Sequence, residues 1–310
     1  MAGHGYRALA LCGPTAAGKS AAAVRLALQV GGEIINADSR QIYAGMPIGT
    51  GWPEAHLMAA APHHLYGIVE PNERYGAGRF VGDAAAAIAG VVERGAVPIL
   101  VGGTGLYIEA LAGTMPLDRP VADDAIKARI RAEARVHPHD ALLGWLRALA
   151  PTAAQRVPSG DAYRVLRALE SELARRAGAD AREPRASPVR VRLVVLDVQR
   201  DALRARIERR VRAMFDGGLV EEARGVHDRY GDAPALSGLA YAEALALAFG
   251  LATRDEAVRL AQLRSRRYAK RQQTWFRRFR DARIIDATNL DAGAIAALLH
   301  DEAREMTRVT

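Results

Sequence analysis

Residues 13–20 read Gly13-Pro14-Thr15-Ala16-Ala17-Gly18-Lys19-Ser20, set between the apolar run Ala8-Leu9-Ala10-Leu11-Cys12 and a helix-forming stretch. A strand that feeds such a turn aims successive backbone N–H groups into one concavity, and the dipole of the following helix adds positive potential there. Lys19 brings a mobile charge, and the Ser20 hydroxyl can ligate a Mg²⁺ shared with phosphate oxygens. The chain is therefore expected to bind a di- or triphosphate. It is also bound to fold around a strand–loop–helix unit, which is a building block of α/β sheets.

The rest of the pattern agrees with that start. Short β-like runs at 7–12, 33–38, 97–101 and 191–198 alternate with amphipathic stretches at 19–30, 77–94 and 105–112. This alternation predicts an α/β fold, a P-loop NTPase-like parallel sheet flanked by helices. Ligands of such sheets bind beyond the carboxyl ends of the strands. The phosphate loop, Asp38-Ser39 and Gly102-Gly103-Thr104-Gly105 all sit at strand ends and are expected to meet at one crevice, with the strand at 33–38 beside the phosphate-loop strand.

Between Pro116 and Pro188 the β-like runs stop, and helical periodicity takes over at 122–135, 140–149 and 162–176. A helical insertion over 116–188 is expected, with hinges at 115–120 and 182–188, inside a core made of 1–115 and 189–310. The core then continues helically over 201–249 and 254–280.

Composition narrows the setting. The single cysteine, Cys12, excludes an intrachain disulfide and a Cys-based zinc site, and reads as a small buried apolar side chain. No charged-then-apolar leader and no apolar run of membrane-spanning length occurs, so a cytoplasmic, membrane-free protein is expected. The formal charge of +8 in 310 residues suits a polyanionic partner.

Several residue groups could carry chemistry. Asp38 ends a strand facing the phosphate crevice, where a carboxylate serves as metal holder or general base, or else shapes a turn or caps a helix. Gly102-Gly103-Thr104 stands where many phosphoryl-transfer enzymes carry an acid. Close backbone approach and a hydroxyl suit a contact to a phosphate or leaving oxygen better, although a glycine turn before a helix reads the same way. Arg206 and Arg210 lie four apart and could both ligate a diphosphate. The run 259–280 holds Arg264, Arg266, Arg267, Lys270, Arg271, Arg277, Arg278 and Arg280 with no acid among them, interleaved with Tyr268, Trp275, Phe276 and Phe279. It fits a nucleic-acid backbone with stacked bases, or a solvated charged face whose aromatics pack inward. His63-His64 lacks metal-ligand spacing and reads as a loop or a wall of the substrate site.

In order along the chain, the phosphate loop, Asp38-Ser39-Arg40-Gln41-Ile42-Tyr43, Met46-Pro47-Ile48-Gly49-Thr50, Pro62-His63-His64, Gly102-Gly103-Thr104-Gly105-Leu106-Tyr107 and Arg267-Tyr268-Ala269-Lys270-Arg271-Gln272 resemble the bacterial tRNA dimethylallyltransferase family. The resemblance spans nearly the whole chain. It implies Mg²⁺-dependent transfer of a dimethylallyl group from dimethylallyl diphosphate to N6 of the adenosine 3′-adjacent to the anticodon, in tRNAs reading codons that begin with U. It implies a monomer acting on the tRNA anticodon stem-loop. Asp38, Thr104 and Lys19 would be catalytic, and Ser20 would hold the metal. Residues 13–20 with Arg206 and Arg210 would hold the diphosphate. Asp38, Ser39, Arg40, Gln41, Thr104, Lys127, Asp161, Ala162, Tyr163, Arg164, Lys270 and Arg271 would meet tRNA, with the insertion gripping the anticodon stem.

The chain departs from the family pattern at three places: Tyr163 precedes Arg164 where the family usually carries Gln, Ala240-Tyr241 replaces a common Gly-Tyr, and Lys127 takes an often-Arg position. Two other functions fit parts of the sequence. A P-loop kinase for a small metabolite would use the same loop, and a non-catalytic nucleotide-dependent RNA-binding protein would use the basic run.

Overall fold

The computed structural model describes residues 6–114, 122–158, 160–179 and 189–307. The chain divides into two compact units, Met1–Met115 with Ser187–Thr310, and Pro116–Ala186. The expected hinges at 115–120 and 182–188 lie outside the described residues.

The larger unit begins with β1 (Tyr6–Cys12), α1 (Lys19–Val30), β2 (Gly32–Asn36), α2 (Pro47–Thr50), α3 (Ala55–Ala60), β3 (His63–His64), α4 (Ala77–Glu93), β4 (Val97–Gly102) and α5 (Gly105–Leu111). The smaller unit holds α6 (Asp124–Val136), α7 (His139–Leu149), α8 (Pro151–Gln155) and α9 (Ala162–Arg176). The chain returns with β5 (Val189–Asp197), α10 (Arg200–Asp216), α11 (Leu219–Tyr230), a 3₁₀ turn at Pro234–Ser237, α12 (Tyr241–Ala248), α13 (Arg254–Phe276), β6 (Arg283–Asp286) and α14 (Ala292–Arg304).

Among the described residues the strands form one parallel sheet in the order β3-β2-β4-β1-β5-β6. The expected α/β class is found. Strand β1 is buried on both faces, and its side chains alternate between them as the strand period requires. Leu9 and Leu11 join Leu26, Val211, Ile295 and Leu299 on one face. Ala8, Ala10 and Cys12 meet Phe80, Ile88 and Ile108 on the other, where small side chains let α4 and α5 come close.

One expected neighbour relation is corrected. β2 pairs with β4, from Gly32 opposite Val97 to Asn36 opposite Val101, and so lies one strand away from β1. All six residues of β4 are buried, which suits it to the sheet centre between β1 and β2. The Ala37 N–H continues this pairing onto the Val101 carbonyl at 2.8 Å.

His63-His64 is also corrected, from loop or wall to a short edge strand opposite Ile34 and Ile35. His64 Nε2 meets Glu33 Oε2 at 2.6 Å, and Arg94 donates to the same carboxylate from Nη2 at 2.7 Å. Helix α13 stops at Phe276, short of residue 280, and the chain turns so that Phe279 stacks on Phe276 with ring centroids 6.1 Å apart.

The smaller unit has its own core of Ile130, Leu142, Leu143, Leu146, Val165 and Leu169. Asp123 and Asp161 cap α6 and α9, accepting the Ile126 and Arg164 N–H groups at 2.7 and 3.0 Å.

Candidate active site

The turn after β1 is as tight as the sequence suggests. A Cβ on Gly13 would lie 2.4 Å from the Leu196 carbonyl oxygen, and its φ of +141° is glycine territory, so no larger residue fits where β1 passes β5. Gly18 leads into α1, whose first residues are Lys19 and Ser20. The Lys19 ammonium donates to the Gly13 and Pro14 carbonyls at 3.0 and 2.7 Å. Burial lowers its pKa from 10.5 to about 8, with Asp38 opposing that shift and Arg210 adding to it. Cys12 is buried beside it, and burial pushes the thiol up to about 12, so it serves packing.

The three strand ends do meet. Thr15, Lys19, Ser20, Asp38, Gly102 and Arg210 line one cleft that opens to solvent. Asp38 Oδ1 accepts the Arg40 N–H at 2.9 Å, which closes the turn after β2. Thr104 Oγ1 accepts the Ser39 N–H at 2.9 Å and lies 3.2 Å from the Ser39 hydroxyl. The Asp38–Gln41 turn and the Gly102–Thr104 turn are thereby one hydrogen-bonded assembly. Tyr268 of α13 also lines this cleft.

Opposite the phosphate loop, the wall is apolar: Ile207, Val211 and Met214 of α10 with Leu239 and Ala240. Arg210 comes from the same helix and points inward. It donates to Thr15 Oγ1 at 3.3 Å and to the Gly51 carbonyl at 2.8 Å. Burial pulls its guanidinium pKa below the ordinary value, and Asp38 opposes that shift. Gln41 Nε2 donates to the same Gly51 carbonyl at 2.6 Å. The segment Met46–Gly51 is itself pinned by Glu222, whose carboxylate accepts the Ile48 and Gly49 N–H groups, each at 2.8 Å, and the Tyr241 hydroxyl at 2.7 Å.

Other expected site residues fall elsewhere. Arg206 does not join Arg210: its Nη2 donates to the Ala287 and Thr288 carbonyls at 3.2 and 2.7 Å, tying down the chain that leaves β6. In the smaller unit, Lys127 pairs with Asp124 at 2.9 Å and Arg164 with Asp161 at 3.2 Å, while Ala162 and Tyr163 are exposed on α9. On α13, Lys270 and Arg271 are exposed, and Arg271 lies over the Tyr268 ring at 5.6 Å. Arg264 and Arg266 are engaged by Glu243 and Glu208. Phe276 and Phe279 belong to the apolar cluster under the sheet, so these rings pack inward.

Sequence reasoning missed Glu222, Tyr241, Ser265, Gln272 and the α10 apolar wall. The spacing of Ile207, Val211 and Met214 with Arg210 along one helix face carried a signal for the wall, and Gln272 and Tyr241 are positions at which the chain follows the family pattern, without a role assigned to them.

Among the described residues no group of three or more His, Cys, Asp or Glu side chains is assembled for a metal. The cleft instead offers hard oxygen donors, the Ser20 hydroxyl and the Asp38 carboxylate, beside a phosphate cradle. That donor set fits a cation that keeps several waters and binds chiefly through substrate phosphates, the habit of Mg²⁺.

Residues 41–279 match the IPP transferase family, and residues 6–62 match the isopentenyl transferase family. A tRNA dimethylallyltransferase of Anaeromyxobacter sp. (strain Fw109-5) is 46% identical over 299 residues, covering 94% of this chain and 97% of the relative. One from Anaeromyxobacter dehalogenans (strain 2CP-1) is 45% identical over 278 residues, covering 88% and 91%. The crystal structure of the tRNA isopentenylpyrophosphate transferase of Bacillus halodurans superposes with a TM-score of 0.71 at 34% identity, covering 97% of this chain and 96% of that one.

Proposed function

The chain belongs to the IPP transferase family and carries out tRNA dimethylallyl transfer, and from that premise we propose how the cleft divides the work. The donor is dimethylallyl diphosphate and the acceptor is N6 of the adenosine 3′-adjacent to the anticodon, in tRNAs reading codons that begin with U. The observation that carries this reading is the juxtaposition of a cationic cradle, an apolar wall and a carboxylate in one cleft: Lys19 and Arg210, then Val211 and Met214, then Asp38.

The diphosphate lies in the loop 13–20, held by backbone N–H groups, Lys19 and Arg210. The five-carbon tail lies along Ile207, Val211, Met214 and Leu239, which exclude water from an allylic cation. A divalent ion, Mg²⁺, held by Ser20 together with the diphosphate, would supply charge neutralisation at the leaving oxygens.

An adenine amine is a weak nucleophile because its lone pair is delocalised into the ring. Asp38 accepts the N6 proton as the N6–C1 bond forms and the C1–O bond to the diphosphate breaks. The electron pair of that bond leaves with pyrophosphate, whose growing charge Lys19 and Arg210 stabilise more strongly than the bound substrate's. The Thr104 hydroxyl, held by Ser39, positions the acceptor beside Asp38. The target base must leave its stack to reach this depth, and Ser39, Arg40 and Gln41 at the rim are placed to receive it.

On the RNA side, Lys270 and Arg271 supply phosphate contacts, and the smaller unit, through Lys127 and the Asp161–Arg164 turn, grips the anticodon stem. The test is direct. Purified protein, dimethylallyl diphosphate, Mg²⁺ and undermodified tRNA are incubated, and the digested nucleosides are weighed. Prenylated adenosine at that one position supports the reading, and unmodified nucleoside overturns it.

A further inference from the structure

Gln272 has no part in the chemistry above, yet its side chain joins the two halves of the cleft. It lies on α13 and is only 4% exposed. Its Oε1 accepts the Thr15 N–H at 2.9 Å, and its Nε2 donates to the Gly103 carbonyl at 2.9 Å. Both partners are backbone groups of fixed polarity, so the amide can face only one way.

Those partners belong to different loops. Thr15 sits in the phosphate loop, and Gly103 immediately precedes Thr104. A Cβ on Gly103 would lie 2.1 Å from Gln272 Nε2 and 3.4 Å from Asp38 Oδ2, so the absence of a side chain at 103 is what lets the amide and the carboxylate close on the same turn. The neighbours of Gln272 on α13 do related work. Tyr268, one turn earlier, lines the cleft, and Gln273 Nε2 donates to Asp197 Oδ1 at 2.8 Å at the end of β5. The exposed face of the same helix carries Lys270 and Arg271.

We propose that Gln272 is a positioning residue for the transfer step, setting the separation between the donor loop at Thr15 and the acceptor-side loop at Gly103–Thr104. This rests on the cleft assignment made above. A buried amide that satisfies one donor and one acceptor leaves both loops without freedom to slide, and a misplacement of about 1 Å between reacting groups costs on the order of 100-fold in rate. The role predicts a specific kinetic signature: each substrate still binds, but the bound pair is badly aligned.

The test uses the full chain with Gln272→Met, which keeps volume and loses both bonds, and Gln272→Glu, which keeps shape and an acceptor but loses the donor. Four quantities are measured: melting temperature, pyrophosphate affinity, tRNA affinity, and kcat with both substrates saturating. In both variants kcat should fall about 100-fold while each affinity stays within about fivefold of wild type. The proposal is overturned if kcat of the Met variant stays within about threefold of wild type. It is equally overturned if only the Glu variant is slow, which would be charge repulsion beside the diphosphate, or if kcat and both affinities drop together with the folded fraction. Failure of both variants to fold would assign Gln272 to the core and overturn it too. Wild-type protein in the same assay keeps the two readings apart: no transfer by wild type removes the cleft assignment itself, whereas normal transfer by both wild type and the Met variant removes only the role of Gln272.

Discussion

The Arg210 guanidinium donates to the Thr15 hydroxyl at 3.3 Å across 195 residues of chain, bringing a permanent positive charge to the mouth of the phosphate loop. Arg206, one helical turn away, spends its guanidinium on the Ala287 and Thr288 carbonyls. The two arginines should therefore separate cleanly. Arg210→Gln should lower kcat/KM by about 10²–10³, the scale of one lost donor to a developing oxyanion. Arg210→Lys should recover little, since an ammonium cannot reach Thr15 and Gly51 with one planar fork. Arg206→Gln should leave transfer within about threefold and lower the melting temperature instead. Steady-state transfer and thermal melts on the variants check this.

Asp38 holds the Arg40 N–H through Oδ1, so its substitution tests the base only if that turn survives. Asp38→Asn keeps an oxygen for the turn and loses the proton acceptor. The expected outcome is tRNA affinity within a few fold of wild type and single-turnover transfer slowed by about 10²–10⁴, the usual worth of a general base. Filter binding and rapid-quench kinetics on one preparation measure both.

Lys19 sets a pH dependence. Burial brings its pKa down to about 8, and only the ammonium attracts a diphosphate. Donor affinity should hold below about pH 8 and weaken by up to about tenfold per pH unit above it. In the ligand-free protein the sign is opposite. Between about pH 8 and the unfolded value of 10.5 the unfolded chain binds the proton and the folded chain does not, so this group adds stability as pH rises through that window. Calorimetric titration of a diphosphate ligand from about pH 6.5 to 9.5, a range that brackets the shifted value, tests the first statement. Lys19→Arg, charged throughout, should flatten the curve.

How much of this was legible in the sequence depends on whether the cause was local. Helix α1 begins at Lys19 as expected because Gly18 and the loop before it dictate the turn. The sheet class followed from apolar runs such as Leu9–Cys12, buried on both faces. Edge strand β3 was not legible, since two residues carry no period and become a strand only by pairing with Ile34 and Ile35. Arg206 and Arg210 look equivalent on one helix face. What separates them is the chain after β6, a four-residue strand too short to read. Gln272 stands in a run of cations and reads as surface, although packing buries it against two loops more than 160 residues distant.

Lys270 and Arg271 are exposed on α13, whereas Arg264 and Arg266 are engaged by acids. Replacing Lys270 and Arg271 by Gln should weaken tRNA binding at every salt concentration tested and reduce the slope of log K against log salt by about 0.7–0.9 for each phosphate no longer neutralised. Replacing Arg264 and Arg266 should leave that slope close to its original value. Binding isotherms between about 50 and 200 mM salt distinguish the pairs, and an unchanged slope in the first would remove α13 from the RNA surface.

Glu222 supports the donor site from behind. It accepts two N–H groups at the start of α2 and the Tyr241 hydroxyl, and α2 ends at the Gly51 carbonyl that holds Arg210. Glu222→Ala leaves the Ile48 and Gly49 N–H groups without that acceptor and the Tyr241 hydroxyl with only the longer bond to the Met46 carbonyl at 3.3 Å, which should cost about 2–4 kcal/mol of stability. Tyr241→Phe removes one donor and keeps the packing, so about 1 kcal/mol is expected. The double variant should be worse than Glu222→Ala by less than the Tyr241→Phe cost alone, because the hydroxyl's shorter bond is already gone and only the 3.3 Å contact with the Met46 carbonyl is left to lose. Since Gly51 moves with α2, Glu222→Ala should also raise KM for the donor several-fold while tRNA affinity holds. Denaturant melts of the three variants with donor titrations measure both effects, and an additive cycle with an unchanged donor KM would show that α2 is held without Glu222.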